Sequence, residues 1–431
     1  MCFWTRLSAQ AIRLSRFLPD RHKMFQNTLS QENIKLFEKI PELIKKTFPI
    51  PGRHKSRLPS DIAKLSELLT KNKGERSLSY LARPDFLNAY LYYFLPWNLY
   101  RLCLLLPGLN INLSPTDTIK DLGCGPLTFT SALWIARPDL RKIPLEFNCI
   151  DRCAPALEAG KKFFISLCET ENNISEWKIN LIKKDIDFRK AFISADKNNY
   201  NIVKTGKKKP ASLVCAVNLF NETCENLSHN NSEGLRRIAS NSAKLMHNEA
   251  SESASILTVE PGVPQSGRFI SLLRDSFIEL NRLPDSPCTH NASCPLSPFS
   301  AQKQKINNKG KWCHFAQKTE NIPKELNNLS QAAGLPKERI AFSFLLAGGV
   351  SREHSANGQN EKTRIISDVF QLPGNLTGCY GCSAKGLVLL TGEKNTDKYF
   401  TSGGIVTPIF DKNGQRDNKS GALIARLSME K

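Results

Sequence analysis

The chain has no uninterrupted apolar stretch of bilayer-spanning length. Its most apolar run, YLYYFLPWNLYRLCLLLPGL from Tyr90 to Leu109, is broken by Pro96, Asn98 and Arg101, and a charged side chain at membrane depth is costly. A buried aromatic helix pair packed on the following domain is the expected form of this segment. A secretory signal is missing as well, because the N-terminus has neither a clean apolar core segment nor a small-residue cleavage site. The 13 cysteines are therefore not expected to form a disulfide framework, and a reducing compartment follows. The opening stretch MCFWTRLSAQAIRLSRFLPD has no acid before Asp20 but carries Arg6, Arg13 and Arg16. That composition fits a mitochondrial presequence, a basic bacterial N-terminus, or a true start at Met24.

Acids are the minority throughout. Sixty Lys plus Arg against 40 Asp plus Glu give a net charge of +20, which attracts a polyanion at long range and strengthens phosphate contacts after docking. A nucleic-acid partner is expected, although charge alone does not name RNA. With 431 residues and 40% hydrophobic content, one large core and a smaller second one are expected.

Residues 28–107 read as helical, with apolar spacing in ENIKLFEKIPELIKKTF and DIAKLSELLTKN behind polar caps. From Thr118 short apolar strands alternate with helices, the pattern of parallel strands joined by crossovers. The strands are placed at TIKDL, EFNCID, NLIKKD, SLVCAV and SILTVE. After about residue 284 cysteines, prolines and polar insertions dominate until FSFLLAGG and GLVLLTG. The boundaries expected are a helical region 1–110, an α/β Rossmann-like nucleotide-binding domain 111–283, and a cysteine-rich module with C-terminal strands 284–431. KTGKKKP, Lys204 to Pro210, reads as a solvated loop, with its adjacent lysines an alternative phosphate contact.

The strand TIKDL runs into GCGPLTFTSALWIA, so Asp121, Gly123, Gly125 and Pro126 lie at a strand-to-helix turn. Glycines there let the backbone approach a ligand, and the helix N-terminus offers free N–H groups. Asp151 ends the next strand, where a carboxylate can accept from both ribose hydroxyls. A nicotinamide fingerprint wants a third glycine where this chain has Thr128. An acid two residues before the first glycine suits an amino-bearing ligand, either by pairing with its ammonium group or by orienting the turn. S-adenosylmethionine is thereby favoured. Asp185 is a candidate for the adenine edge and Asn218, opening NLFNE to Glu222, for the methyl-accepting face; strand-end capping is the plainer role for both.

Cysteines collect in irregular backbone: Cys288 and Cys294 in SPCTHNASCPL, Cys313 in KWCHF, Cys379 and Cys382 in GCYGCSAKG. Such a set suits a tetrahedral zinc or an iron-sulfur cluster, and the spacing does not choose between them. His290 and His314 stand beside two of these cysteines and are alternative zinc ligands.

VEPGVPQSGRFISLLRDSF (Val259 to Phe277), PCTHNASCPL, KWCHF and FSFLLAGG, in that order, together with YLARPDFLNAYLYYFLP and DLGCGP, resemble the ribosomal small-subunit-associated methyltransferase-like family of bacteria and mitochondria. The resemblance covers roughly residues 78–392. It implies a Rossmann-like S-adenosylmethionine-dependent methyltransferase fold, a [4Fe-4S] cluster, and association with the small ribosomal subunit and its rRNA during assembly or translation. Carried across, the cluster ligands are Cys288, Cys294, Cys313 and Cys382, with Cys379 the alternate. The stretch SPFSAQKQKINNKGK between Cys294 and Cys313 is longer than the family's and should loop out without moving either ligand.

No catalytic residue is named. NLFNE lacks the Asn-Pro-Pro-aromatic signature that positions an exocyclic amine, and Cys215 lies inside a strand. Whether methyl transfer persists is therefore open: a binding or assembly factor is one reading, an active rRNA methyltransferase with a structural zinc the other. Neither a membrane nor DNA is an expected partner. The compartment is bacterial cytoplasm or mitochondrial matrix.

Overall fold

The computed structural model describes residues 28–70, 80–171, 175–186, 188, 209–224, 231–300, 311–350, 362–393, 400–411 and 414–427. The arginine-rich opening stretch, most of KTGKKKP and residues 301–310 of the insertion lie outside the described residues.

The N-terminal segment is helical as its spacing predicts. Helix α1 (Gln31–Thr47) starts at Ser30, whose side chain accepts from the Asn33 N–H, and buries Leu36, Phe37, Ile40, Leu43 and Ile44 along one face. Helix α2 (Leu58–Thr70) follows. Helix α3 is continuous through an α-helical piece Pro84–Ala89, a π turn Tyr90–Phe94 and an α-helical piece Leu95–Leu105. In the π turn the Leu95 N–H donates to the Tyr90 carbonyl, and Pro96, next in line, has no N–H to donate.

Five parallel strands then alternate with helices: β1 (Thr118–Leu122), α4 (Thr128–Ala136), β2 (Glu146–Asp151), α5 (Ala154–Glu169), β3 (Lys178–Lys183), β4 (Ala211–Val217), α6 (Ser232–Glu249), β5 (Ala250–Pro261) and α7 (Pro264–Glu279). Beyond α7 come β6 (Pro284–Ser286), β7 (Phe315–Lys318), α8 (Lys324–Ala332) and β8 (Arg339–Ala347). The sheet order is β3-β2-β1-β4-β5-β8-β6, with β7 also on β8. Strand β8 runs antiparallel to β5 from Ile256↔Ala347 to Pro261↔Phe342. The expected boundary at 283/284 therefore cuts through a single sheet. Cysteine-rich loops obscure the strand pattern there, and the pairing partner of β8 is some ninety residues earlier in the chain.

Alternation along the strands sorts the core into two faces. Leu213 and Cys215 of β4 with Phe342, Phe344 and Leu346 of β8 join a cluster that also holds Leu99 and Leu104 of α3 and Trp134 of α4. Val214 and Ala216 with Leu345 and Ala347 join Ile238 of α6 and Phe269 of α7 on the other side. The N-terminal helices thus form a covering layer of the same domain, and the expected break at residue 110 is not a break in the core.

A second sheet completes the chain: β9 (Thr363–Ile365), β10 (Phe370–Leu372), β11 (Leu376–Ser383), β12 (Gly386–Glu393), β13 (Ile405–Val406), β14 (Pro408–Phe410) and β15 (Leu423–Leu427). Its order is β13-β9-β11-β12-β15-β14, with β10 on β11. Leu387 and Leu389 of β12 face the main core, while Val388 and Leu390 close a small core with Ile365, Cys379 and Ala425. Among the described residues no helix is long and apolar enough to cross a membrane. Tyr93, Leu99, Leu102 and Leu104 of the apolar run are fully buried instead.

Candidate functional site

Strand order reverses between β1 and β4, so a crevice opens beyond their carboxyl ends. The turn after β1 lies there. Gly123 and Gly125 adopt φ of 65° and 53°, a left-handed backbone that glycine accepts without strain. The Gly123 and Cys124 N–H groups donate to the Ile150 carbonyl at 2.8 and 3.1 Å. Asp151 fastens the turn from β2: one carboxylate oxygen accepts from the Gly125 N–H at 2.9 Å, the other from the Cys153 N–H at 2.8 Å. Pro126 is buried, and Gly160 of α5 approaches its backbone so closely that a Cβ would clash.

Asp121 is fully buried beneath the turn. It accepts from Thr130 Oγ1 at 3.4 Å and contacts Cys215 Sγ at 3.5 Å, and burial pushes its carboxyl up to about 7. Asp185 lies exposed beyond the end of β3.

The opposite wall is NLFNE. Asn218 has φ 58° and its N–H donates to the Val259 carbonyl at 2.8 Å. Glu260, at the end of β5, is buried and accepts from the Phe220 and Asn221 N–H groups at 2.8 and 2.9 Å. Burial raises its carboxyl to about 7 against the pull of those donors and of Arg101. Glu222 accepts from Tyr80 Oη at 2.9 Å and stands 3.6 Å from Arg152.

Helix α3 reaches into the same place. Arg101 Nη2 donates to Asn98 at 3.0 Å and Asn218 at 2.7 Å, while its buried Nε has no hydrogen-bond partner among the described residues. Tyr90 is 3.4 Å from Asn98, and burial and the Glu222 charge push its hydroxyl up to about 12. Tyr80, Tyr90, Arg101 and Glu260 were not singled out from sequence as site residues. A signal existed for Arg101, because a cation inside an apolar helix must find a buried partner.

The cysteines gather between α7 and the second sheet. Arg274 of α7 donates from Nε to Cys288 Sγ at 3.2 Å, and from Nη2 to the carbonyls of His290 (2.9 Å) and Ala292 (2.7 Å). His290 Nε2 is 3.4 Å from Cys382 Sγ on β11, and its Nδ1 is buried with no partner among the described residues. Burial, then the neighbouring Arg274, lowers that imidazole to about 4. Cys313 is held by its neighbours. Trp312 donates to the Gly262 carbonyl at 2.9 Å, a Cβ on Gly267 would meet Trp312 Cδ1 at 2.5 Å, and Ser343 Oγ donates to the Cys313 carbonyl at 2.7 Å.

The thiols of Cys313 and Cys382 are pushed up first by burial and then by Cys288 and Cys294, with Arg274 opposing. Burial also raises Cys294, against the pull of Arg274 and with Cys288 adding to it. Cys294 is buried, whereas Cys288, Cys313 and Cys382 keep some solvent exposure. Among the described residues no three Cys, His, Asp or Glu side chains close up as the ligands of a single metal ion. Cys379, three residues before Cys382 on the same strand, points to the opposite face and into the small C-terminal core. His314 stacks on Trp312, with ring centroids 4.7 Å apart.

No curated protein matches the chain in sequence. Solved structures similar to it include a S-adenosylmethionine-dependent methyltransferase from Thiobacillus denitrificans in complex with S-adenosyl-L-homocysteine (10% identity, 59% of this chain and 91% of that one, TM-score 0.27). Another is a S-adenosylmethionine-dependent methyltransferase from Geobacter sulfurreducens with the same ligand (13% identity, 66% and 98%, TM-score 0.27). A geranyl diphosphate methyltransferase in complex with geranyl diphosphate and sinefungin matches at 11% identity, 68% and 99% coverage and TM-score 0.30. Residues 199–379 match the family profile described as mitochondrial small ribosomal subunit Rsm22. That segment includes Cys288, Cys294 and Cys313, begins after the glycine turn and ends just before Cys382. Over that segment the chain is similar to the ribosomal small-subunit methyltransferase-like family.

Proposed function

We propose that the chain binds S-adenosylmethionine in the crevice beyond β1 and β4, holds a four-cysteine [4Fe-4S] cluster, and acts on the small ribosomal subunit through its rRNA in the mitochondrial matrix. The crevice fits the nucleoside. Gly123 and Gly125 clear a backbone cradle, Asp151 stands at its rim, and Arg101 Nε, buried without a hydrogen-bond partner among the described residues, lies on its helical wall. When bound, S-adenosylmethionine supplies an electrophilic methyl group. The chain's own residues bind and orient: Asp121 braces the turn, and Glu260 and Arg101 hold Asn218 to Glu222 across from it.

The thiol site fits a cluster by its donor set. Cys288, Cys294, Cys313 and Cys382 lie near one another and Arg274, and four thiolates held together call for a cationic core. Support for the ribosomal partner comes from the family match and from the +20 charge.

The gathering of four thiols near Arg274, three of them inside the family-matched segment, is the observation that carries this reading. Protein purified without oxygen should be brown and contain about four irons per chain. S-adenosylmethionine should raise its melting temperature through binding to the folded state. A colourless protein with one zinc would leave the fold in place and remove the cluster.

A further inference from the structure

We propose that Arg274 and Arg364 are positioning residues that balance the charge of the thiolate site. This deepens the reading above and rests on a metal core being held there.

Both guanidinium groups are nearly inaccessible, 2% and 6% exposed. Isolated cations at that depth are unfavourable unless anions face them. Arg274 Nε donates to Cys288 Sγ at 3.2 Å, and its Nη2 fastens the His290 and Ala292 carbonyls. Its Nη1 turns outward to Asp275 at 3.0 Å. Arg364 of β9 donates from Nε to the Pro287 carbonyl at 2.8 Å and from Nη1 to the Gly403 carbonyl at 2.7 Å. Across the sheet it is the register partner of Cys382, and the Pro287 carbonyl it holds directly precedes Cys288. Each arginine thus serves twice: it fixes the loop that carries Cys288, and it places a permanent positive charge against the thiolates. Four thiolates around a doubly charged core would leave two negative charges in excess, which these two cations offset, with Asp275 drawing on part of the charge of Arg274. Donors and cations around ligand sulfurs raise a cluster's reduction potential.

The test uses the full chain purified without oxygen, as wild type, R274K, R274Q, R364K and R364Q. Iron per chain is measured, and each protein is titrated with dithionite while absorption and paramagnetic resonance are followed. Glutamine variants that keep iron should reduce at a more negative potential than wild type. Lysine variants should hold more iron than the glutamine ones and reduce closer to wild type. If the glutamine variants lose iron altogether, retention by the lysine variants supports the charge role, and equal loss overturns it. Glutamine variants with full iron and the wild-type potential also overturn it. A wild type without iron would instead remove the cluster reading itself.

Discussion

Asp121 shows how strongly burial can act on one carboxylate. It is buried under the glycine turn with Thr130 and Cys215 as partners, and its folded value lies near 7 against about 3.9 in an unfolded chain. Because the folded value is raised, the stability this group contributes is fully present below about pH 4 and is lost as pH rises through about 7. Melting temperature followed from pH 4 to 8 should decline more in wild type than in Asp121→Asn, with some slope remaining from Glu260, which is raised in the same window. Equal slopes would show that Asp121 is not protonated as its burial requires. Cys379 and Cys382 make a second pair with opposite fates. Cys382→Ser should abolish metal retention, whereas Cys379→Ser should keep the metal and cost roughly 1–3 kcal/mol for a buried hydroxyl, read by metal analysis and chemical denaturation. Metal loss in both would mean that the two faces of β11 are not independent.

At the scale of elements, the junction between α6, β5 and β8 is built around Arg282. This residue follows α7 and is 1% exposed. It donates to the carbonyls of Ser251 (2.7 Å), Ala254 (2.8 Å) and Gly348 (3.3 Å) and to His247 Nδ1 (2.9 Å). The start of β5, the end of α6 and the residue after β8 are thereby locked together. Arg282→Met keeps most of the volume but leaves several buried acceptors unpaired, an expected loss of about 3 kcal/mol, measured by denaturant titration. A loss below about 1 kcal/mol would place the junction's strength elsewhere. The long apolar run belongs to this scale too: Pro96 and Arg101, which exclude it from a membrane, are the residues that sit at the π turn and reach Asn218 in the folded chain.

For the whole molecule, the governing quantity is the +20 charge. If the partner is rRNA, binding should weaken steeply with salt, by about 10³-fold or more between 50 and 200 mM for six or more phosphate contacts, as read by filter binding of a small-subunit rRNA fragment. A flat salt dependence would assign the charge to solvated surface instead. The shared core makes a related point. Leu387 and Leu389 of the C-terminal sheet and Leu99 of the N-terminal layer belong to one apolar cluster, so the layers stabilise one another as well as the sites between them.

The sequence by itself determined the parallel strands at TIKDL and EFNCID, the glycine turn with Asp151 beside it, and the motifs by which the chain resembles its family. These features are local: strand period, turn chemistry and ligand type are written within a few residues. Tertiary structure alone decided what depends on distant partners. It assigned β6, β7 and β8 to the first sheet, because antiparallel pairing with β5 leaves no mark between residues 284 and 347. It also separated Cys382 from Cys379 by the face of β11 on which each lies, and it brought Arg101, Glu260, Arg274 and Arg364 to their sites. A buried charge reveals its purpose only through the group that faces it across the fold, and no spacing rule along the chain encodes that encounter.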